Sequence, residues 1–241
     1  RNTELGSKVP PQQQSEAQQA ITQAMVLNPA DWQLQSVYAE AISSRNPDQA
    51  LSIRQLLLQQ YPTVENALML GNMARRQAQS EWDAAKRTGL IDLAQKAYQR
   101  AIEIAPENEN AQQAYADLLR MTGQGEEAVK LLQDDENLLW KYYLRNSQFQ
   151  QARDILDRLH ETNPEDPTVL RGLILTAEGL GNRDQVKAYL DTLMQLDDSK
   201  DTQLWLFQKY LDNGFTAKVE EKLPGFKERH PEETVTLLIE A

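Results

Sequence analysis

The chain has 241 residues, 40% of them apolar and 25% charged, with a net charge of −11. That acidity opposes a nucleic-acid binder, which needs a basic field to meet phosphates, and the absence of cysteine removes disulfides, thiolate metal sites and cysteine nucleophiles together. No stretch reaches the ~18 apolar residues of a membrane span, and the apolar run Leu170–Gly181 is broken by Arg171 and Glu178. The sequence begins at Arg1 without a methionine or a signal-peptide core, so an export signal or anchor is expected to be removed or upstream. Membrane attachment is then expected only through a segment outside these residues.

Residues 1–14 have no hydrophobic periodicity and read as a flexible, Pro/Gln-rich lead. From Ser15 onward the pattern is helical, and prolines mark its beat. Ala17, Ile21 and Ala24 stand 12, 8 and 5 residues before Pro29; Ala50, Arg54 and Leu57 hold the same offsets from Pro62. Ala94, Tyr98 and Ala101 repeat them before Pro106, Ala152, Leu156 and Leu159 before Pro164, and Val219, Leu223 and Phe226 before Pro231. Each set predicts a helix with an apolar inner face, ended by a proline that cannot continue it. Arg54 is the one polar misfit among the fifteen positions.

A second helix is predicted upstream of each of these, divided from it by a turn. Asn46 and Pro47 supply an N-cap and a first helical residue; Gly123, Asn146, Gly181 and Gly214 mark the other turns. The unit is therefore helix A, tight turn, helix B, proline, with 33 residues from Pro29 to Pro62. It resembles the tetratricopeptide repeat, a 34-residue helical hairpin. Met69–Ala74 carries that family's Leu-Gly pair as Leu70 and Gly71, whereas the other A helices show Val37-Tyr38, Tyr115-Ala116, Leu139-Trp140 and Leu173-Ile174. The resemblance implies an all-α, right-handed superhelical solenoid of antiparallel helix pairs, with about six to seven repeats over residues 15–241. Neither end shows a polar cap, so the array is expected to continue beyond the sequence.

The register slips twice. Pro62 to Pro106 spans 44 residues, and the surplus predicts that helix A runs on to about Arg87, an extension over about residues 75–89 with Ala74, Ala78 and Ala85 on one face. Pro106 to Pro164 spans 58, which predicts a helix B cut to two turns and an irregular repeat at about 126–136. A long helix beside a short one suggests that the overhang fills the space left by its neighbour; a fully exposed Trp82 would oppose this.

No residues point to catalysis, a metal or a cofactor. His160 and His230 end B helices, where histidine complements the helix dipole. Most of the acidic clusters precede new helices, Asp166 before Pro167 most clearly, and they lack EF-hand spacing. Trp32, Trp140 and Trp205 are expected in the core, and Trp82 at a contact. The resemblance also implies that helix A residues line a concave groove: Asn72, Arg75 and Arg76, then Gln113, Asp117 and Arg120, then Asn137, Lys141, Arg145 and Arg171. Their basic members would form a strip favouring an acidic or carboxylate-ended partner; solvated faces and internal ion pairs are the competing reading. Asn72 matches one position of the family's carboxylate clamp, but Leu68 stands where its first lysine belongs, which disfavours chaperone tails. The expected function is a non-catalytic protein–protein interaction scaffold or adaptor, in a bacterial envelope assembly or export system of the periplasm or cell envelope. The alternatives are a self-associating, homo-oligomeric structural module and the regulatory arm of a larger enzyme.

Overall fold

The computed structural model describes residues 31–230, together with Gln23, Ala24 and Asn28. The lead, most of the helix predicted over Ser15–Leu27 and the segment from Pro231 lie outside them. Among the described residues there are twelve helices and no strand. They are α1 Trp32–Ile42, α2 Pro47–Gln60, α3 Val64–Ser80, α4 Ala84–Ile104, α5 Glu109–Met121 and α6 Gly125–Leu132; then α7 Glu136–Arg145, α8 Phe149–Thr162, α9 Pro167–Gly179, α10 Arg183–Leu196, α11 Lys200–Asp212 and α12 Thr216–Arg229. Successive helices pair as six A–B hairpins. The chain separates into two compact units, Arg1–Leu132 and Gln133–Ala241, so their boundary falls in the irregular repeat.

The prolines act through the residues before them. Tyr61, Ala105 and Asn163 precede Pro62, Pro106 and Pro164, and their backbones sit at φ/ψ −129/80, −144/90 and −139/86. A following proline disfavours the helical region, which ends α2, α4 and α8 two residues before it. The A–B turns close differently. Gly123, Gly181 and Gly214 adopt φ of +82°, +70° and +72°, and Ser147 takes the same role at +56°. In each, two backbone N–H groups reach back to carbonyls of the finished helix, as Gln124 to Leu119 and Gly123 to Arg120. Asp31, Thr63, Asp83, Asn108, Asp135, Asp166 and Asn182 cap helix starts with their side chains, whereas Asn46 occupies the cap position without doing so.

In the first unit the core is built from Ile42, Leu51, Leu70, Met73, Leu90 and Tyr98 with alanines between them. Small residues bring α3 and α4 close enough that the Tyr98 ring fills the space beside Gly71; a Cβ there would lie 2.5 Å from its Cε1. The second unit repeats the device between hairpins. Gly172 of α9 receives Leu156, and Gly179 receives the Phe149 ring. Its larger core joins Leu170, Ile174, Leu190, Phe207, Tyr210 and Phe226.

The surplus residues do not prolong helix A to Arg87. α3 ends at Ser80, and α4 starts at Ala84, running 21 residues. Asp83 decides this: its carboxylate accepts the Lys86 N–H at 2.7 Å, starting a helix where a continuous one was expected, and its own N–H donates to Glu81. Both helices of the hairpin are lengthened as a result. The overhang fills no gap beside the eight-residue α6, since residues 82–89 are all exposed and Trp82 is 89% exposed.

Candidate functional site

The A helices of the first unit hold an open cleft of about 590 Å³ between α1 and α3. Helical spacing aligns its walls: Ser36, Val37, Glu40 and Ala41 on α1, Met69, Asn72 and Arg76 on α3. Its floor is Arg54 of α2, the misfit of the proline register. That position is the large one of helix B and faces the A helices, so an arginine there is carried into the interior and ends 3% exposed.

The Arg54 guanidinium is only partly matched. Its Nη1 donates to Ser36 Oγ at 2.6 Å and to the Met69 thioether at 3.0 Å, and its Nη2 donates to the Ser36 carbonyl at 2.9 Å. Its Nε is buried without a hydrogen-bond partner. The nearest carboxylate is Glu40, 3.6 Å from Nη2. Burial pulls Arg54 below the usual arginine range, with Glu40 opposing. Glu40 also accepts from Arg76 Nη2 at 3.0 Å, so one carboxylate serves two guanidiniums.

Asn72 and Arg76 both line this cleft. Arg75 turns the other way: its Nε donates to the Tyr98 hydroxyl at 3.2 Å, and that hydroxyl donates to Asn72 Oδ1 at 2.8 Å. Burial raises the Tyr98 phenol, opposed by the Arg75 hydrogen bond. Arg120, in the last turn of α5, is exposed, and Gln113 and Asp117 precede it on the same helix. Trp82 lies in the turn between α3 and α4, among exposed residues.

The remaining candidates belong to the second unit. Asn137 and Arg145 are exposed on α7, and Lys141 lies 5.8 Å over the Trp140 ring. Arg171 donates to Thr202 Oγ1 at 2.5 Å and stacks 5.1 Å from Trp205, whose ring also meets Lys209 at 5.9 Å. Lys209 pairs with Glu178 at 2.7 Å, and Asn213 donates to the same carboxylate. Arg171 is therefore engaged between α9 and α11 rather than presented alone. The five candidates Asn72, Arg75, Arg76, Trp82 and Arg120 sit in the first unit, and Lys141, Arg145 and Arg171 in the second.

Among the tryptophans, Trp140 is buried as expected, but Trp32 is 37% exposed against Tyr61 and Trp205 is half-buried between cations. His160 and His230 pack on Tyr189 and Phe226. Among the described residues no cluster of three His, Cys, Asp or Glu could hold a metal, and no helix is long and apolar enough to cross a membrane. Arg54, Ser36, Glu40 and Met69 escaped the sequence reading; the broken register at Arg54 was the signal.

No protein-family model and no curated protein matches the chain. Solved structures do. A tetratricopeptide-repeat protein of Parabacteroides merdae has a TM-score of 0.49 at 12% identity, covering 89% of this chain and 86% of its own. A thermophilic one of Thermus thermophilus has 0.48 at 16%, covering 70% and 91%. PilW, a type IV pilus biogenesis factor, has 0.45 at 15%, covering 85% and 96%. The paired helices, the Gly71–Tyr98 close approach and the proline-ended B helices give this chain a tetratricopeptide-like fold.

Proposed function

We propose that this chain is a non-catalytic interaction scaffold that holds an extended segment of a protein partner against its A helices. The observation that carries the reading is the cleft between α1 and α3, whose walls combine apolar Val37, Ala41 and Met69 with the paired charges of Arg76 and Glu40. A concave, largely apolar pocket with a few fixed polar groups is the default binding-site hypothesis, and grooves of this kind take up segments of other chains. Arg120 in the first unit and, separately, Lys141 and Arg145 in the second extend the proposal to an acidic partner. A place in a bacterial envelope assembly or export system belongs to the same proposal, supported by the cysteine-free composition and the Pro/Gln-rich lead.

The test is affinity capture with wild type, Val37→Asp and Arg120→Glu/Arg145→Glu. Val37 is 52% exposed, so its variant keeps the fold while placing a charge at the cleft mouth. A partner held by wild type and lost by Val37→Asp supports binding in the cleft, and loss with the double variant supports the basic positions. A partner retained by all three refutes the groove reading and moves attention to Trp82.

A further inference from the structure

Resting on the scaffold reading, we infer that the α1–α3 cleft is a receptor for a carboxylate side chain of an acidic peptide segment, and that Glu40 fills the ligand's place in the unbound protein. Three observations converge on it. Arg54 is a buried guanidinium whose strongest partners are neutral: a hydroxyl, a carbonyl and a thioether. Its Nε has no partner at all, and a guanidinium offers five donors in a fork suited to carboxylates. A buried charge so matched is left under-compensated.

Arg76 stands at the rim, 53% exposed, and draws on the same Glu40 carboxylate. Among the residues lining the cleft two cations face one anion, with Glu65 a further carboxylate acting on Arg54, inside a protein of net charge −11. Glu40 itself is 57% exposed and makes only a 3.6 Å approach to Arg54. Rotation about its side-chain bonds carries it into solvent, opening a seat between the two arginines. Val37, Ala41 and Met69 flank that seat, so apolar neighbours of the incoming acidic residue have a surface to cover. The occupant is a side-chain carboxylate because that is the group Glu40 already presents there. The seat depends on an arginine from helix B, and the Leu68 position has no part in it.

The probe is fluorescein-labelled (Leu-Glu)4 amide, compared by fluorescence anisotropy with (Leu-Gln)4 amide and with (Leu-Gln)4 carrying a free C-terminal carboxylate. Wild type is expected to bind the Glu peptide at least tenfold more tightly than either Gln peptide. Glu40→Gln removes the resident competitor and is expected to tighten the Glu peptide about tenfold. Arg76→Gln and Arg54→Met are expected to weaken it at least tenfold; methionine approximates the arginine stem, and exchanging a buried charge for an apolar side chain of similar volume is often neutral for folding. Circular dichroism checks each fold. If Arg54→Met fails to fold, Glu40→Gln and Arg76→Gln still decide. Equal binding of all three peptides, binding of none, binding only through the free terminus, or an unchanged affinity in Glu40→Gln each overturns the inference. If these peptides fail while Val37→Asp still loses the captured partner, the scaffold reading stands and the carboxylate seat alone is withdrawn.

Discussion

Replacing Gly71 by alanine should destabilise the first unit, although glycine in a helix interior is ordinarily the weaker choice. The propensity gain from alanine is about 1 kcal/mol. Against it, the new Cβ would stand 2.5 Å from Tyr98 Cε1, 2.7 Å from Cδ1 and 3.0 Å from Cζ. The ring cannot step aside cheaply, because it is fully buried and its hydroxyl is held by Asn72 and Arg75. Overpacking of this kind costs about 1–3 kcal/mol, and a pinned ring argues for the upper end. The net expectation is a loss of about 2 kcal/mol, or roughly 4–8 °C in melting temperature for a chain of this size. Gly89→Ala is the internal control. It lies inside α4 with nothing within 4 Å of the added carbon, and should gain about 0.5–1 kcal/mol. Urea unfolding followed by circular dichroism reads both. Adding Tyr98→Leu to Gly71→Ala should cost less than the two single changes summed, since the clash then has no ring to meet. A Gly71→Ala protein as stable as wild type would refute the close-approach argument.

Ser147 holds a left-handed conformation that Gly123, Gly181 and Gly214 supply in the equivalent turns, so Ser147→Gly should raise stability by about 0.5–1 kcal/mol in the same unfolding assay. In the second unit, the Tyr210 hydroxyl donates to Asp191 at 2.7 Å. Burial pushes the Asp191 carboxyl up, but hydrogen bonds from Lys187 and Tyr210 outweigh it and hold the group below its ordinary 3.8. A lowered carboxylate stabilises above its unfolded value and loses that contribution as pH falls through the folded one. Tyr210→Phe should therefore cost about 1 kcal/mol at pH 7, and the gap to wild type should narrow below pH 3.8, measured by thermal melts across pH.

The helix pairs were legible because their causes are local. Proline restricts the residue before it, glycine accepts positive φ, and small residues at helical spacing mark where two helices touch; each rule acts within a few positions of the chain. The eight-residue α6 and the positions of the turns followed from that register. The end of α3 did not, because Asp83 competes with continued helix through one hydrogen bond that composition does not reveal.

Most of the candidate site was decided elsewhere. Sequence placed Asn72, Arg75 and Arg76 on helix A, but the neighbours Arg75 and Arg76 point in different directions, and only packing against α1 and α4 sends Arg76 to Glu40 and Arg75 to Tyr98. Arg171 looked like a surface cation until α11 brought Thr202 and Trp205 beside it. Arg54 shows the division most clearly. The sequence marked it as a polar residue at an apolar helix position, which requires partners; only the fold could name them, because Ser36, Glu40 and Met69 come from two other helices and meet it through tertiary contact alone.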